Sequence, residues 1–167
     1  MDGAAALAYI RSRPEVDPNK IIIYSQSLGG AVAAYTVATQ PREGIRAVIL
    51  ESVFTSYRKI AREKLGGFWL TWPLQWPLSF LVSDEGSPLD VVSKISPIPL
   101  LILHGNQDNV IPLHHSEDLF RAAKPPKSLW IIEGGRHIDT LSPSHREYRK
   151  KFLEFLDQTL HRSAGNE

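Results

Sequence analysis

Eight residues constrain this chain more than any others: Tyr24-Ser25-Gln26-Ser27-Leu28-Gly29-Gly30-Ala31. An apolar, β-branched run, Ile21-Ile22-Ile23, stands ahead of them, and the pattern from Ala31 to Thr39 is that of a helix. A strand that turns straight into a helix with a serine at the corner is a nucleophile elbow. The corner forces the Ser27 backbone into a strained conformation and lifts its hydroxyl clear of the sheet. The chain passes close to itself there, so the positions two before and two after the serine are expected to be small. Gly29 satisfies this, while Ser25 stands where the usual pattern has glycine. A serine before two glycines also suits a turn or a helix N-cap, so the rest of the chain must decide.

Three further short apolar segments follow: Arg46 to Leu50, Pro99 to His104 and Leu129 to Glu133. Each is rich in Ile, Leu or Val, as expected of strands buried on both faces. Helical patterns at Ser116 to Ala123 and Glu147 to Leu160 lie among them. Strands alternating with helices predict right-handed crossovers and a parallel sheet, an α/β fold. In such sheets function gathers at the C-terminal strand ends.

Two of those ends carry further candidates. His104-Gly105-Asn106-Gln107-Asp108-Asn109-Val110-Ile111-Pro112 places Asp108 in a polar turn just beyond a strand. Glu133-Gly134-Gly135-Arg136-His137-Ile138-Asp139 places His137 just beyond the last strand. Separately, Asp108 could simply cap a turn and His137 could be an ordinary loop histidine. Together, a Ser, an Asp and a His in that chain order, each past a strand end, have the order of the α/β hydrolases.

The chain resembles the C-terminal part of an α/β-hydrolase domain, in the depalmitoylase-like, monoacylglycerol-lipase-like and serine-aminopeptidase-like branch. The matching stretches are Ser25 to Ala31, Leu50-Glu51-Ser52-Val53-Phe54, Pro99 to Pro112 and Gly134 to Asp139. The resemblance implies a mostly parallel sheet flanked by helices and a catalytic triad of Ser27, Asp108 and His137. A serine hydroxyl is a poor nucleophile at neutral pH and needs an adjacent base. His137 would take its proton, and Asp108 would hold the imidazole in the required tautomer. The backbone N–H of Leu28, next after the nucleophile, would donate to the oxyanion, a contact of about 3 kcal/mol. Asp139 is the substitute should Asp108 lie elsewhere. Of the other histidines, His104 is expected to pack or bond locally, His114 and His115 to open a helix, and His145 and His161 to be solvated. None pairs with acids in a metal-ligand pattern, so neither a metal nor another cofactor is expected.

Only one helical pattern, Asp2 to Arg13, precedes the elbow strand. Relatives of this kind carry further strands there, with a loop that supplies a second oxyanion donor. The expectation is therefore an N-terminally incomplete domain over residues 1–162, whose open strand edge favours self-association, and a frayed tail over 163–167. A net charge of +1 with no basic patch argues against nucleic acid. The chain has no cysteine, which excludes disulfides and thiol catalysis and fits a cytoplasmic setting. An anchor ahead of Met1 would instead make the protein membrane-associated.

Within an insertion at about residues 55–92, Leu65 to Val82 holds Phe68, Trp69, Trp72, Trp76 and Phe80, interleaved with Pro73 and Pro77. In the resembled fold such an insertion caps the nucleophile, and Phe68, Trp69, Trp72 and Trp76 would bind an apolar substrate group. Alternatively the rings close the core, or they face a membrane surface, where tryptophan is favoured. The function expected is hydrolysis of small acyl esters or thioesters through an acyl-serine intermediate. The rivals are an aminopeptidase, with Asp84, Glu85 or Asp90 holding the substrate amine, and a non-catalytic remnant.

Overall fold

The β-branched run at 21–23 extends into β1 (Ile21–Gln26), and the helix α2 (Ser27–Thr39) begins at the very next residue. The helix thus starts at Ser27 itself, four residues earlier than the sequence pattern suggests, and no loop separates strand from helix. A computed structural model describes residues 2–161; the tail at 163–167 lies outside them. Three more strands follow: β2 (Ile45–Glu51), β3 (Leu100–Gly105) and β4 (Lys127–Ile132). All pair in parallel in the order β1-β2-β3-β4. Every crossover therefore returns on a helix, as the alternating pattern requires.

The side-chain period of two sorts the strand residues between two layers. Val48, Leu50, Leu100 and Ile102 face one core, which contains Ala34 and Val37 of α2 and Leu119 of α6 (His114–Ala122). Leu7 of α1 (Asp2–Arg11) joins this core. Ile49, Leu101 and Leu103 face the other, against Phe152 of α7 (Arg146–His161), with Trp130 and Phe155 beside them. β3 is buried along its whole length, so its leucines and isoleucine each contribute about 1.5–3 kcal/mol of apolar burial.

Register brings the strand ends to one level. Gln26 lies opposite Glu51, Glu51 opposite Leu103, and Gly105 opposite Ile132. The segments leaving these ends carry Ser27, Asp108 and His137. At the other side of the sheet, β1 pairs only with β2 among the described residues. Its open edge and α2 border an apolar groove that includes Leu7, Ile10, Ile22, Val32 and Ala33.

The insertion folds as α3 (Tyr57–Gly66), a 3-10 turn at Trp72–Leu74, α4 (Gln75–Ser79) and α5 (Pro88–Val91). α3 is capped by Ser56, whose hydroxyl accepts from the Lys59 N–H at 2.9 Å. The aromatic stretch does not close the core: Trp69 is 79% exposed, and Phe68, Trp72, Trp76 and Phe80 are exposed as well. No helix among the described residues is long and apolar enough to cross a membrane.

Candidate active site

Ser27 has φ of +50°, in the left-handed region that disfavours side-chain-bearing residues and is held where surrounding structure demands it. Strand pairing fixes the chain up to Gln26, and the buried face of α2 fixes it from Gly30 onward, so the corner must absorb the turn. The close approach falls one residue later than the motif suggests. A Cβ on Gly30 would run into Val53, whereas one on Gly29 would meet nothing within 4 Å. Gly29 opens onto the groove beside β1, and this corrects the expectation that it is squeezed by the chain. Leu28 is the second residue of α2, so its N–H lies in the first turn, where backbone donors have no intrahelical partner and the helix dipole favours negative charge.

Asp108 and His137 meet. The Asp108 carboxylate receives a hydrogen bond from His137 Nδ1 at 2.8 Å, and its other oxygen accepts from the Val110 and Ile111 backbone N–H groups at 2.7 and 2.8 Å. Burial pushes the Asp108 carboxyl up, but these donors outweigh it and hold its pKa below the ordinary value. Asp108 is therefore an acceptor, so Nδ1 of His137 carries a proton and, in the neutral imidazole, Nε2 is the nitrogen with the free lone pair. The His137 side chain is 20% exposed. No hydrogen bond joins Ser27 to His137 among the described residues.

Two glycines staple the acid loop to the histidine loop. A Cβ on Gly105 would collide with the backbone of Gly135, and one on Gly135 would come 2.9 Å from Gly105 Cα. Gln107 N–H donates to Gly135 O at 2.8 Å, and Gly134 N–H donates to the Asn106 side chain at 2.8 Å. The His137 loop closes on Asp139, which accepts from the Arg136 N–H at 2.8 Å. Asp139 is thus spent on the turn and does not replace Asp108.

His104 behaves as expected of a packing residue. It is fully buried, with Nε2 donating to Ile111 O at 2.8 Å and Nδ1 facing the Ser116 hydroxyl at 2.6 Å. Burial lowers its pKa, so it is neutral. His114, His115 and Glu63 form the one cluster of metal-ligand type among the described residues. The chemistry does not suit a metal. His115 Nδ1 accepts from the Thr55 backbone N–H at 3.1 Å, so the proton sits on Nε2, which donates to Glu63 at 3.0 Å. His145 departs from expectation: its side chain is only 12% exposed and lies 3.7 Å from Asp139, while His161 is solvated.

The aromatic stretch stands apart from these groups. Arg62 stacks over Trp76 at 4.3 Å and Arg58 over Phe80 at 5.6 Å, and Phe68 tilts against Trp69. No hydrogen bond, ring pairing or cation–π contact links Phe68, Trp69, Trp72 or Trp76 to Ser27, Asp108 or His137 among the described residues. Asp84 is not free either. It accepts from Ser56, Ser87 and the Arg58 N–H; burial raises its pKa, and these bonds bring it below the ordinary value. Glu85 and Asp90 are exposed.

A parallel sheet with a strained serine corner and an acid–histidine pair at its C-terminal edge defines the α/β-hydrolase class. Solved structures agree in fold. An esterase of Pyrococcus furiosus, Pf2001, superposes with a TM-score of 0.73 at 19% identity, over 95% of this chain and 61% of that one. An acylaminoacyl peptidase of Pyrococcus horikoshii gives 0.67 at 22%, over 96% of this chain and 27% of that one. The chain belongs to the prolyl oligopeptidase family, whose model it matches over residues 1–163. Among curated relatives, the uncharacterized protein YfhR of Escherichia coli K12 is 38% identical over 156 residues, 93% of this chain and 51% of that protein. The α/β-hydrolase domain-containing protein WAV2 of Arabidopsis thaliana is 31% identical over 167 residues, 94% of this chain and 53% of that protein. The chain spans about half the length of the curated relatives it matches.

Proposed function

We propose that the protein is a serine hydrolase that cleaves carboxylic esters or thioesters through an acyl-serine intermediate. Ser27 is the nucleophile, His137 the general base and acid, and Asp108 the residue that orients it. The observation that carries this reading is the bond from His137 Nδ1 to a buried, ionised Asp108, set at the same sheet edge as a serine at φ +50°. With Nδ1 protonated, Nε2 is the base. It takes the Ser27 Oγ proton as Oγ bonds to the carbonyl carbon, and the resulting imidazolium is stabilised by Asp108. The carbonyl oxygen gains negative charge and accepts from the Leu28 N–H. Collapse breaks the bond to the leaving group, which receives the proton from Nε2. Water then repeats the sequence on the acyl-enzyme, and Ser27 recovers its proton.

In this reading Phe68, Trp69, Trp72 and Trp76 receive the apolar part of the substrate. The stretch from Leu65 to Val82 contains no charged residue, and its exposed rings offer apolar area, with Arg62 covering one face of Trp76. A peptidase reading is favoured by the family match. It is weakened by Asp84, which is committed to the cap of α3 and does not present its carboxylate to an amine. The test is a substrate panel on the protein and on its His137→Ala and Asp108→Asn variants. The ester reading expects p-nitrophenyl ester and thioester turnover to exceed aminoacyl p-nitroanilide turnover. It expects Asp108→Asn to lower kcat by about 10⁴-fold, as wrong-tautomer imidazoles do. Faster hydrolysis of the anilides would replace it with the peptidase reading, and full activity in Asp108→Asn would remove the triad.

A further inference from the structure

Glu51 is the last residue of β2, and it is 1% exposed. No cation pairs with it among the described residues. Three donors converge on it instead. The Thr140 backbone N–H bonds one carboxylate oxygen at 3.0 Å. The Gln26 side-chain amide bonds the other at 2.8 Å, and the Tyr24 hydroxyl bonds that same oxygen. The Gln26 amide also donates to the Tyr24 hydroxyl at 2.8 Å, which closes a small network. Burial, followed by the bond to Glu51, drives the Tyr24 pKa well above its ordinary value, so the hydroxyl stays a donor. His104 on β3 lies near enough to feel this carboxylate, and burial, the largest cause, lowers its own pKa and keeps it neutral.

The two ends of this network matter. Gln26 immediately precedes Ser27, and Thr140 lies three residues after His137. Asp108 ties His137 to the loop after β3, but it does not reach the elbow, and Ser27 and His137 share no hydrogen bond among the described residues. A buried carboxylate without a cation costs folding energy, and an apolar residue of like volume at such a position is often neutral or better for stability. A fully satisfied polar network does fix one geometry.

We infer that Glu51 is a positioning residue: its carboxylate ties the end of β1 that carries Ser27 to the loop that carries His137 and so sets the distance across which the proton moves. This rests on the serine-hydrolase reading above. An amide in place of the carboxylate would turn a donor toward donors. Glu51→Gln therefore releases one end of the tie while the Asp108–His137 bond remains.

The experiment measures kcat and KM on a p-nitrophenyl ester for the protein and for Glu51→Gln, Gln26→Glu/Glu51→Gln, Tyr24→Phe and Ser27→Ala. In Glu51→Gln, kcat falls about 30- to 100-fold, the scale of an ångström-sized misplacement, with KM within about threefold. The double exchange returns the carboxylate to the network from the other side. It recovers about tenfold of that loss, which a purely structural role would not do. Tyr24→Phe removes one donor at a half-exposed position; it supplies the reading should Glu51→Gln not fold, and kcat falls several-fold. Unchanged kcat in Glu51→Gln or Tyr24→Phe, a loss confined to KM, or no recovery in the double exchange overturns the inference. Activity surviving in Ser27→Ala would instead overturn the hydrolase reading on which it rests.

Discussion

Replacing Gly105 with alanine should separate the two loops of the site without altering any side chain in it. Gly105 has no positive φ, so alanine is allowed by the backbone and the effect is purely steric. The added Cβ would lie 2.8 Å from Arg136 O and closer still to the Gly135 carbonyl. Ordinary contact begins near 3.4 Å and the nearest atom, the Gly135 carbonyl oxygen, would lie only 2.2 Å away, so the histidine loop must retreat by about 1.2 Å. None of these atoms is the end of a flexible side chain, so no rotamer change relieves the clash. Overpacking of this kind costs about 1–3 kcal/mol, and for a chain of this size each kcal/mol lowers Tm by about 2–4 °C. The retreat also draws His137 from Asp108, whose bond spans 2.8 Å, and a shift of this size costs about 10- to 100-fold in kcat. Thermal melts and ester kinetics of Gly105→Ala are read beside Gly67→Ala, whose Cβ would meet only ordinary contacts from 3.5 Å. A Gly105→Ala protein with the parent's Tm and kcat would refute the reasoning, because it would mean that the two loops are not in contact.

Acid should weaken the fold through two buried imidazoles. Burial lowers the pKa of His104 and His115 from the ordinary 6.5, so the unfolded chain binds protons there before the folded one does. Stability then falls as pH drops below about 6.5, by up to about 1.4 kcal/mol per pH unit for each histidine until its folded pKa is reached. Urea melts between pH 8 and pH 5 check this, and flat or rising stability on acidification contradicts it. Asp108 acts lower: its depressed pKa makes its contribution one that is present above the ordinary carboxyl value of 3.8 and lost progressively as pH falls from there through the folded value. The open edge of β1 is expected to pair with another chain, so the 167-residue chain should self-associate with rising concentration in light-scattering chromatography. A monomer at every concentration would show that the edge is covered.

Local rules were enough for much of the site. A β-branched run, a serine before two glycines and a helical pattern allow little besides a corner at Ser27, and the structure places the corner there. The pairing of Asp108 with His137 was legible because parallel strands bring successive C-terminal ends to one edge, whatever lies between them in sequence. Glu51 was not legible in this way. A single acid at the end of an apolar strand has no period, and its role depends on Thr140, 89 residues away. The stapling of Gly105 to Gly135 is equally non-local, although the pair Gly134-Gly135 ahead of His137 was a cue. The aromatic stretch shows the limit of composition. Tryptophan and proline mark a segment that is neither helix nor strand throughout, but apolarity cannot say whether a ring is buried, and these rings are exposed. Gly29 departs from the motif rule for a related reason. Its neighbour across β1 is open space among the described residues, so the crowding that motif rules assume falls on Gly30 instead.

The central claim is that Ser27 is the nucleophile, and covalent capture tests it most directly. The protein is treated with a fluorophosphonate, digested, and the modified peptide sequenced by mass spectrometry. Ser25 is the internal control, since it lies two residues away on the strand with its hydroxyl turned toward Ile49 O at 3.4 Å. The account predicts a single adduct on Ser27, lost in Ser27→Ala, retained in Ser25→Ala and strongly slowed in His137→Ala. An adduct on Ser25, or labelling that persists in Ser27→Ala, would contradict it.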